Sequence, residues 1–143
     1  MKSALDTNVI VYLIGSEPSS ALAAREILKE ARRSGALVMC GVVYSELLAH
    51  PKMTPSALTQ FLSETGIDAE FDTGRDIWHE AGLRYSLYSI RRRKVQAGSP
   101  RRLLADFVIG AHALLRADRL LTFDARGYRR DFPELQIAPN KPK

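Results

Sequence analysis

The chain has a single cysteine, Cys40, so no intrachain disulfide can form and nothing in the sequence calls for an oxidising compartment. A reducing cytoplasm suits it. It also lacks any run approaching the roughly 18 consecutive apolar residues of a membrane span. The N-terminal stretch MKSALDTN carries one lysine and an early acid, with no apolar region leading to a small-residue cleavage site. Secretion and membrane insertion are therefore not expected. The three histidines, His50, His79 and His112, are scattered and, with one cysteine, give no zinc-type spacing. No Gly-rich phosphate loop, GxSxG elbow or catalytic cysteine setting is present, which excludes the common nucleotide-cradling and side-chain-nucleophile chemistries. Repeats and low-complexity tracts are missing too. What remains, 143 residues with 45% hydrophobic and 26% charged side chains, has the make-up of one ordinary folded domain, residues 1–143, ending in a polar tail at 139–143.

The order of elements is legible from periodicity. Ser3 to Asp6 reads as a strand end, Thr7-Asn8 as a cap, and Val9 to Ile14 as a short helix, with a longer strand as the alternative. Pro18 opens a helix with Ala23, Ile27, Leu28 and Ala31 on one face and Gly35 at its end. Ala36 to Cys40 reads as a buried strand, and Gly41 leads into a helix carrying Val42, Val43, Leu47 and Leu48. Pro55 to Thr65 is a helix closed by Gly66. Ile67, Ala69 and Phe71 alternate with Asp68, Glu70 and Asp72, the pattern of an edge strand with one wet face. Thr73 is expected to cap a long helix through Tyr88 into a basic stretch. Leu103 to Arg116 keeps helical spacing, Arg119 to Phe123 reads as a strand, Gly127 to Phe132 as a short turn or helix, and Leu135 to Ala138 as a last strand. Strands separated by helices throughout predict an α/β fold, a three-layer α/β/α sandwich around a mostly parallel sheet.

Lys and Arg outnumber Asp and Glu by 21 to 16, and part of the excess is concentrated in Arg91, Arg92, Arg93, Lys94, Arg101 and Arg102. With Gly98 and Pro100 between the two groups, this reads as a flexible basic loop. Either it is a solvated charge run, or it is a phosphate-contacting surface that gains affinity by counterion release.

Four acids stand in apolar surroundings. Asp6 ends the first strand, Glu46 sits within GVVYSELLAH, Asp106 interrupts LLADFVIGAHALL, and Asp124 ends RLLTFD. In an open parallel sheet, ligands bind outside the carboxyl ends of the strands, where Asp6 and Asp124 fall and where helices can deliver Glu46 and Asp106. Four converging carboxylates repel one another unless a cation offsets them, and oxygen-only ligands favour Mg²⁺ or Mn²⁺. Such a site suits phosphodiester hydrolysis by an activated water. Each acid also has a structural reading: a cap for Asp6, an Arg partner for Glu46, a helix first turn for Asp106, a turn for Asp124.

Taken together, LDTNVIV, YSELL, LLADFVIGAHAL and DRLLTFDARGYRRDFPELQI resemble, in order and across nearly the whole chain, the PIN-domain ribonucleases, in particular the VapC-type toxins of bacterial toxin–antitoxin pairs. That resemblance implies an α/β/α sandwich, Mg²⁺- or Mn²⁺-dependent endoribonuclease activity on structured RNA such as a tRNA or rRNA loop, and the quartet Asp6, Glu46, Asp106 and Asp124 as catalytic metal ligands. Thr7, Asn8 and Thr122 match positions that orient the acids, with simple turn capping as the competing role. It further implies a homodimer and a small antitoxin partner. A non-catalytic RNA-binding or scaffold module on the same fold is the alternative. Phosphoryl transfer through Asp6 is disfavoured because Asn8 stands where a second acid is needed. Of the remaining residues, His112 reads as a packing histidine, Trp78 and Tyr85 as core or interface aromatics, and Asp131 as a surface turn acid.

Overall fold

The computed structural model describes residues 1–94 and 101–139. The Gly98–Pro100 link between the basic groups and most of the polar tail lie outside them. Along the chain run β1 (Ser3–Leu5), α1 (Thr7–Ile14), α2 (Pro18–Ser34), β2 (Leu37–Cys40), α3 (Gly41–Leu48), α4 (Pro55–Thr65), β3 (Asp68–Glu70), α5 (Arg75–Lys94), α6 (Leu104–Arg116), β4 (Arg119–Leu121), α7 (Ala125–Asp131) and β5 (Ile137–Ala138).

The strands form one sheet in the order β3-β2-β1-β4-β5, and every pair is parallel. β1 therefore lies in the middle, with β2 added on one side and β4 on the other. Its neighbours pair Ser3 with Leu37 and with Arg119, so the carboxyl ends of β1 and β4 finish level with each other. β1 and β2 are buried throughout, as strands covered by helices on both faces must be. Beneath the helices the core is continuous, from Val9, Ile10 and Ile27 through Val38 and Met39 to Phe107, Ile109, Leu120 and Phe132.

Local chemistry explains the helix ends. Glu17 accepts from the backbone N–H groups of Ser19 and Ser20 ahead of Pro18, and Thr54 accepts from Ala57 N ahead of Pro55. Gly66 ends α4 at φ 67°, where a side chain would be strained.

The expected elements are present, with differences at their edges. β1 stops at Leu5, leaving Asp6 as the cap of α1. Thr73 does not cap α5; that helix begins at Arg75, and the Gly74 carbonyl takes the N–H groups of Ile77 and Trp78. β3 does lie at the sheet edge, but Phe71 falls beyond it and is 62% exposed, set edge-on against Tyr44. Arg91–Lys94 are not loop residues. They form the last turn of α5, where cations complement the helix dipole.

Candidate active site

The carboxyl edge of β1 and β4 is where side chains from distant parts of the chain meet. Asp6 N donates to Leu121 O at 3.0 Å, which continues the β1–β4 ladder and carries the Asp6 side chain just past the sheet. Although Asp6 occupies the cap position of α1, its carboxylate makes no cap hydrogen bond. Instead its Oδ2 accepts from the Thr122 hydroxyl at 2.7 Å. The residue is only 6% exposed. Burial pushes its carboxyl up from 3.8 to about 6, and the negative charges of Asp106 and Glu46 push the same way, against the Thr122 hydroxyl and the Thr7 backbone N–H.

Glu46 and Asp106 arrive on helices. Glu46, half-buried on α3, accepts from the Thr7 hydroxyl at 2.6 Å. Asp106 stands in the first turn of α6 and accepts from Leu103 N at 3.0 Å, so it serves the helix start while its charge bears on Asp6. Asp124 is the outermost of the four, its side chain 58% exposed, and its Oδ2 lies 3.3 Å from Nη1 of Arg102.

Three polar residues tie these acids together. The Thr122 hydroxyl that donates to Asp6 also accepts from Asp124 N at 3.0 Å and from Asn8 Nδ2 at 3.4 Å. Asn8 Oδ1 in turn accepts from Phe123 N at 3.2 Å. Asn8 and Thr122 thus lock the first turn of α1 to the segment after β4, and Thr7 ties it to α3 through Glu46.

The basic cluster divides. Arg102, read from the sequence as part of a phosphate-contacting loop, is buried. Its backbone N–H donates to the Tyr88 hydroxyl at 2.7 Å, its guanidinium lies 4.8 Å from the centre of the Tyr128 ring, and Nε is 3.3 Å from Asp131 Oδ2. Arg102 therefore bridges Asp131 and Asp124 as an internal counter-ion. Arg91 donates to Asp131 as well. Arg93 and Arg101 are exposed, as is Lys94, and Arg92 is half-buried.

Asp131 is not the surface acid that the sequence suggests. Its side chain is fully buried and gathers Arg91, Arg102 and Arg130, while its carbonyl accepts from Arg84 at 3.0 Å. The overlooked signal was helical spacing: Gly127, Tyr128 and Asp131 share the inward face of α7. Tyr128 lies on that same face. It is completely buried, its hydroxyl has no hydrogen-bond partner among the described residues, and burial together with the charges of Asp6 and Asp106 holds its phenol well above the ordinary tyrosine range.

His112 stands apart from the acids. It is buried on α6, and Nε2 is 2.8 Å from Glu70 Oε1, whose other oxygen meets Lys2 at 3.2 Å. This is the packing role read from the sequence, with a partner added. Trp78 is half exposed and so is no core residue, whereas Tyr85 packs on Tyr88 and Phe107.

Whether these acids suit a divalent cation can be judged from the donor set. All four are carboxylates, Asp6 is desolvated, and Asp106 and Glu46 add negative potential around it, which is the environment a hard cation stabilises. Among the described residues, no three His, Cys, Asp or Glu side chains are gathered closely enough to form a finished cage. Glu46 is turned to Thr7 and Asp124 to Arg102. The donor chemistry fits; side-chain rotation would have to complete the shell.

The PIN domain family model matches residues 4–133 of the chain. Among solved structures it is similar to VapBC-1 from nontypeable Haemophilus influenzae, at 22% identity and TM-score 0.62, covering 96% of both chains. It is similar also to VapBC2 from Rickettsia felis bound to a promoter DNA fragment, at 21% identity and TM-score 0.62, covering 96% of this chain and 97% of that one. DNA-bound VapBC from Salmonella typhimurium matches at 20% identity and TM-score 0.63, covering 96% of each. No curated protein sequence gives a significant match.

Proposed function

The chain belongs to the PIN-domain family, and from that premise we propose that it is a metal-dependent endoribonuclease acting as the toxin of a toxin–antitoxin pair. PIN domains of the VapC toxins are generally nucleases, and the similar structures above are toxin–antitoxin complexes. The observation that carries the reading is Asp6: a desolvated carboxylate beside Asp106 and Glu46, at the point where β1 has a neighbour on either side.

In this reading Asp6, Glu46, Asp106 and Asp124 hold Mg²⁺ or Mn²⁺. The bound ion supplies an activated water and neutralises charge developing on the phosphate. The chain's own groups prepare the crevice. The Thr122 hydroxyl orients Asp6 and lowers its pKa, so most of it is ionised at neutral pH. Thr7 fixes Glu46, and Arg102 holds Asp124 at the rim. Arg92, Arg93, Lys94 and Arg101 contact the RNA backbone in this reading, and Arg91 and Arg102 pair with Asp131. The substrate is a structured RNA with an accessible loop, such as tRNA or rRNA. A homodimer and an antitoxin whose segment covers the crevice complete the proposal.

The test is cleavage of purified total tRNA and rRNA with Mg²⁺, with Mn²⁺ and with chelator, comparing the wild type with Asp106→Asn. Discrete, metal-requiring fragments that vanish in the variant support the reading. Intact RNA in every lane, with no measurable Mn²⁺ binding, would leave a non-catalytic scaffold on the PIN fold.

A further inference from the structure

Beside the acids stands an aromatic pair that the hydrolytic reading does not use. Tyr12 lies on α1 one turn after Asn8, and Phe123 lies between Thr122 and Asp124. Their rings stack, with centres 5.0 Å apart and planes inclined by 15°. The pair is separate from the buried cluster of Tyr85, Tyr88, Phe107, Tyr128 and Phe132. Despite the stack, Tyr12 remains 40% exposed. The backbone of Phe123 is held by its N–H on Asn8 Oδ1 at 3.2 Å, which ties the ring's point of attachment to α1.

Phe123 also walls an open cleft of about 310 Å³. The same cleft is lined by Thr122 and Asp124, which belong to the acid crevice, and by Arg126 and Arg129 of α7. One continuous depression thus offers a flat apolar wall, two guanidinium groups and an edge shared with a candidate metal ligand. A purely apolar ligand has no use for the arginines, and a free anion has none for the ring. A nucleotide has use for both: its base stacks on the aromatic face and its phosphate meets the guanidinium groups.

We propose that Phe123, backed by the stacked Tyr12 ring, forms a base-stacking subsite for an unpaired nucleotide adjoining the acid crevice, with Arg126 and Arg129 at its phosphates. The ligand class is single-stranded RNA, because a base within a duplex cannot present its face to the ring. The inference rests on the RNA-cleaving reading and specifies which part of an RNA that site accepts.

The probe is a fluorescently labelled ten-nucleotide RNA of unstructured mixed sequence, bound to the full chain in an Asp106→Asn background and followed by anisotropy. Phe123→Leu is expected to weaken binding about ten-fold, as loss of one base stack does, and Tyr12→Leu, which removes the ring behind Phe123, to weaken it less, with the salt dependence unchanged in both because no charge is removed. Tyr12→Phe, which keeps the ring, should restore binding. Arg126→Gln should flatten the salt slope by about one ion. The same RNA in duplex form should compete poorly. Because Tyr12 is exposed, its variant should fold, and an unchanged thermal unfolding midpoint would establish that.

Binding unaffected in both Leu variants, or duplex RNA competing as well as single strands, overturns the subsite. The two readings fail separately. Metal-dependent cleavage indifferent to Tyr12 and Phe123 removes the subsite and leaves the nuclease. Ring-dependent RNA binding without cleavage by the wild type retains the subsite and removes the nuclease.

Discussion

A methyl group placed on Gly127 would lie 1.6 Å from Nη1 of Arg102 and 2.5 Å from its Cζ, so the guanidinium occupies the space that a side chain at position 127 would need. The glycine is there to admit an arginine, and the arginine in turn reaches Asp124 and Asp131. Ala is the better helix former, yet Gly127→Ala should destabilise the protein by about 2 kcal/mol by displacing a buried cation. Gly82, in the exposed middle of α5, is the control. A methyl there meets nothing within 4 Å, and Gly82→Ala should stabilise by about 0.5–1 kcal/mol. Urea midpoints moving in opposite directions would verify both; a shift of the same sign in the two variants would refute the cradle.

Asp131→Asn should be among the most damaging single substitutions. It removes the charge that Arg91, Arg102 and Arg130 share while leaving Arg102 buried. Breaking a buried pair by deleting one partner costs about 3–5 kcal/mol. A loss below about 0.5 kcal/mol in denaturant unfolding, the value for a surface acid, would contradict the burial.

Asp6→Asn should stabilise the metal-free protein at neutral pH. Raising a buried carboxyl from 3.8 to about 6 costs the ionised fold on the order of 3 kcal/mol. The cost is fully present above about pH 6 and fades as pH falls towards 3.8, because the folded state binds the proton more tightly than the unfolded chain. In chelator, the variant should melt several degrees above the wild type at pH 7.5, and the gap should close by about pH 4. A gap independent of pH would mean that Asp6 is not the group responsible.

Thr122→Val should strand Asp6, Asp124 N and Asn8 at once. Losing the hydroxyl removes a hydrogen bond that holds the Asp6 pKa down, so in chelator the Asp6 carboxyl should titrate at higher pH than in the wild type, read from its side-chain carbon shift by NMR. Stability should fall by about 1–3 kcal/mol. An unmoved titration of the metal-free carboxyl would separate Thr122 from the ionisation of Asp6.

The layered fold was legible because each element carries its own period, and Asp6, Glu46, Asp106 and Asp124 stood out as candidates because acids are out of place in apolar runs. Asp131 was not, since its flanking arginines imitate a solvated turn and only the face it shares with Tyr128 betrays its burial. The burial of Arg102 was not legible for a related reason. Sequence adjacency to Arg101 says nothing about which of two neighbouring cations a helix packs over, and here the first is exposed while the second lies beneath α7. Nor does local sequence disclose the Thr7–Glu46 and Thr122–Asp6 bonds, whose partners are 39 and 116 positions apart.

That last separation bears on how the protein is made. β1 leaves the ribosome well before β4, yet Asp6 acquires the hydroxyl that orients it only when residue 122 has followed, and the arginine that braces Asp124 is itself anchored at residue 131. A nascent or prematurely ended chain holds acids without their supports. If the crevice cuts RNA, that activity waits until residue 131 has been made and folded into place.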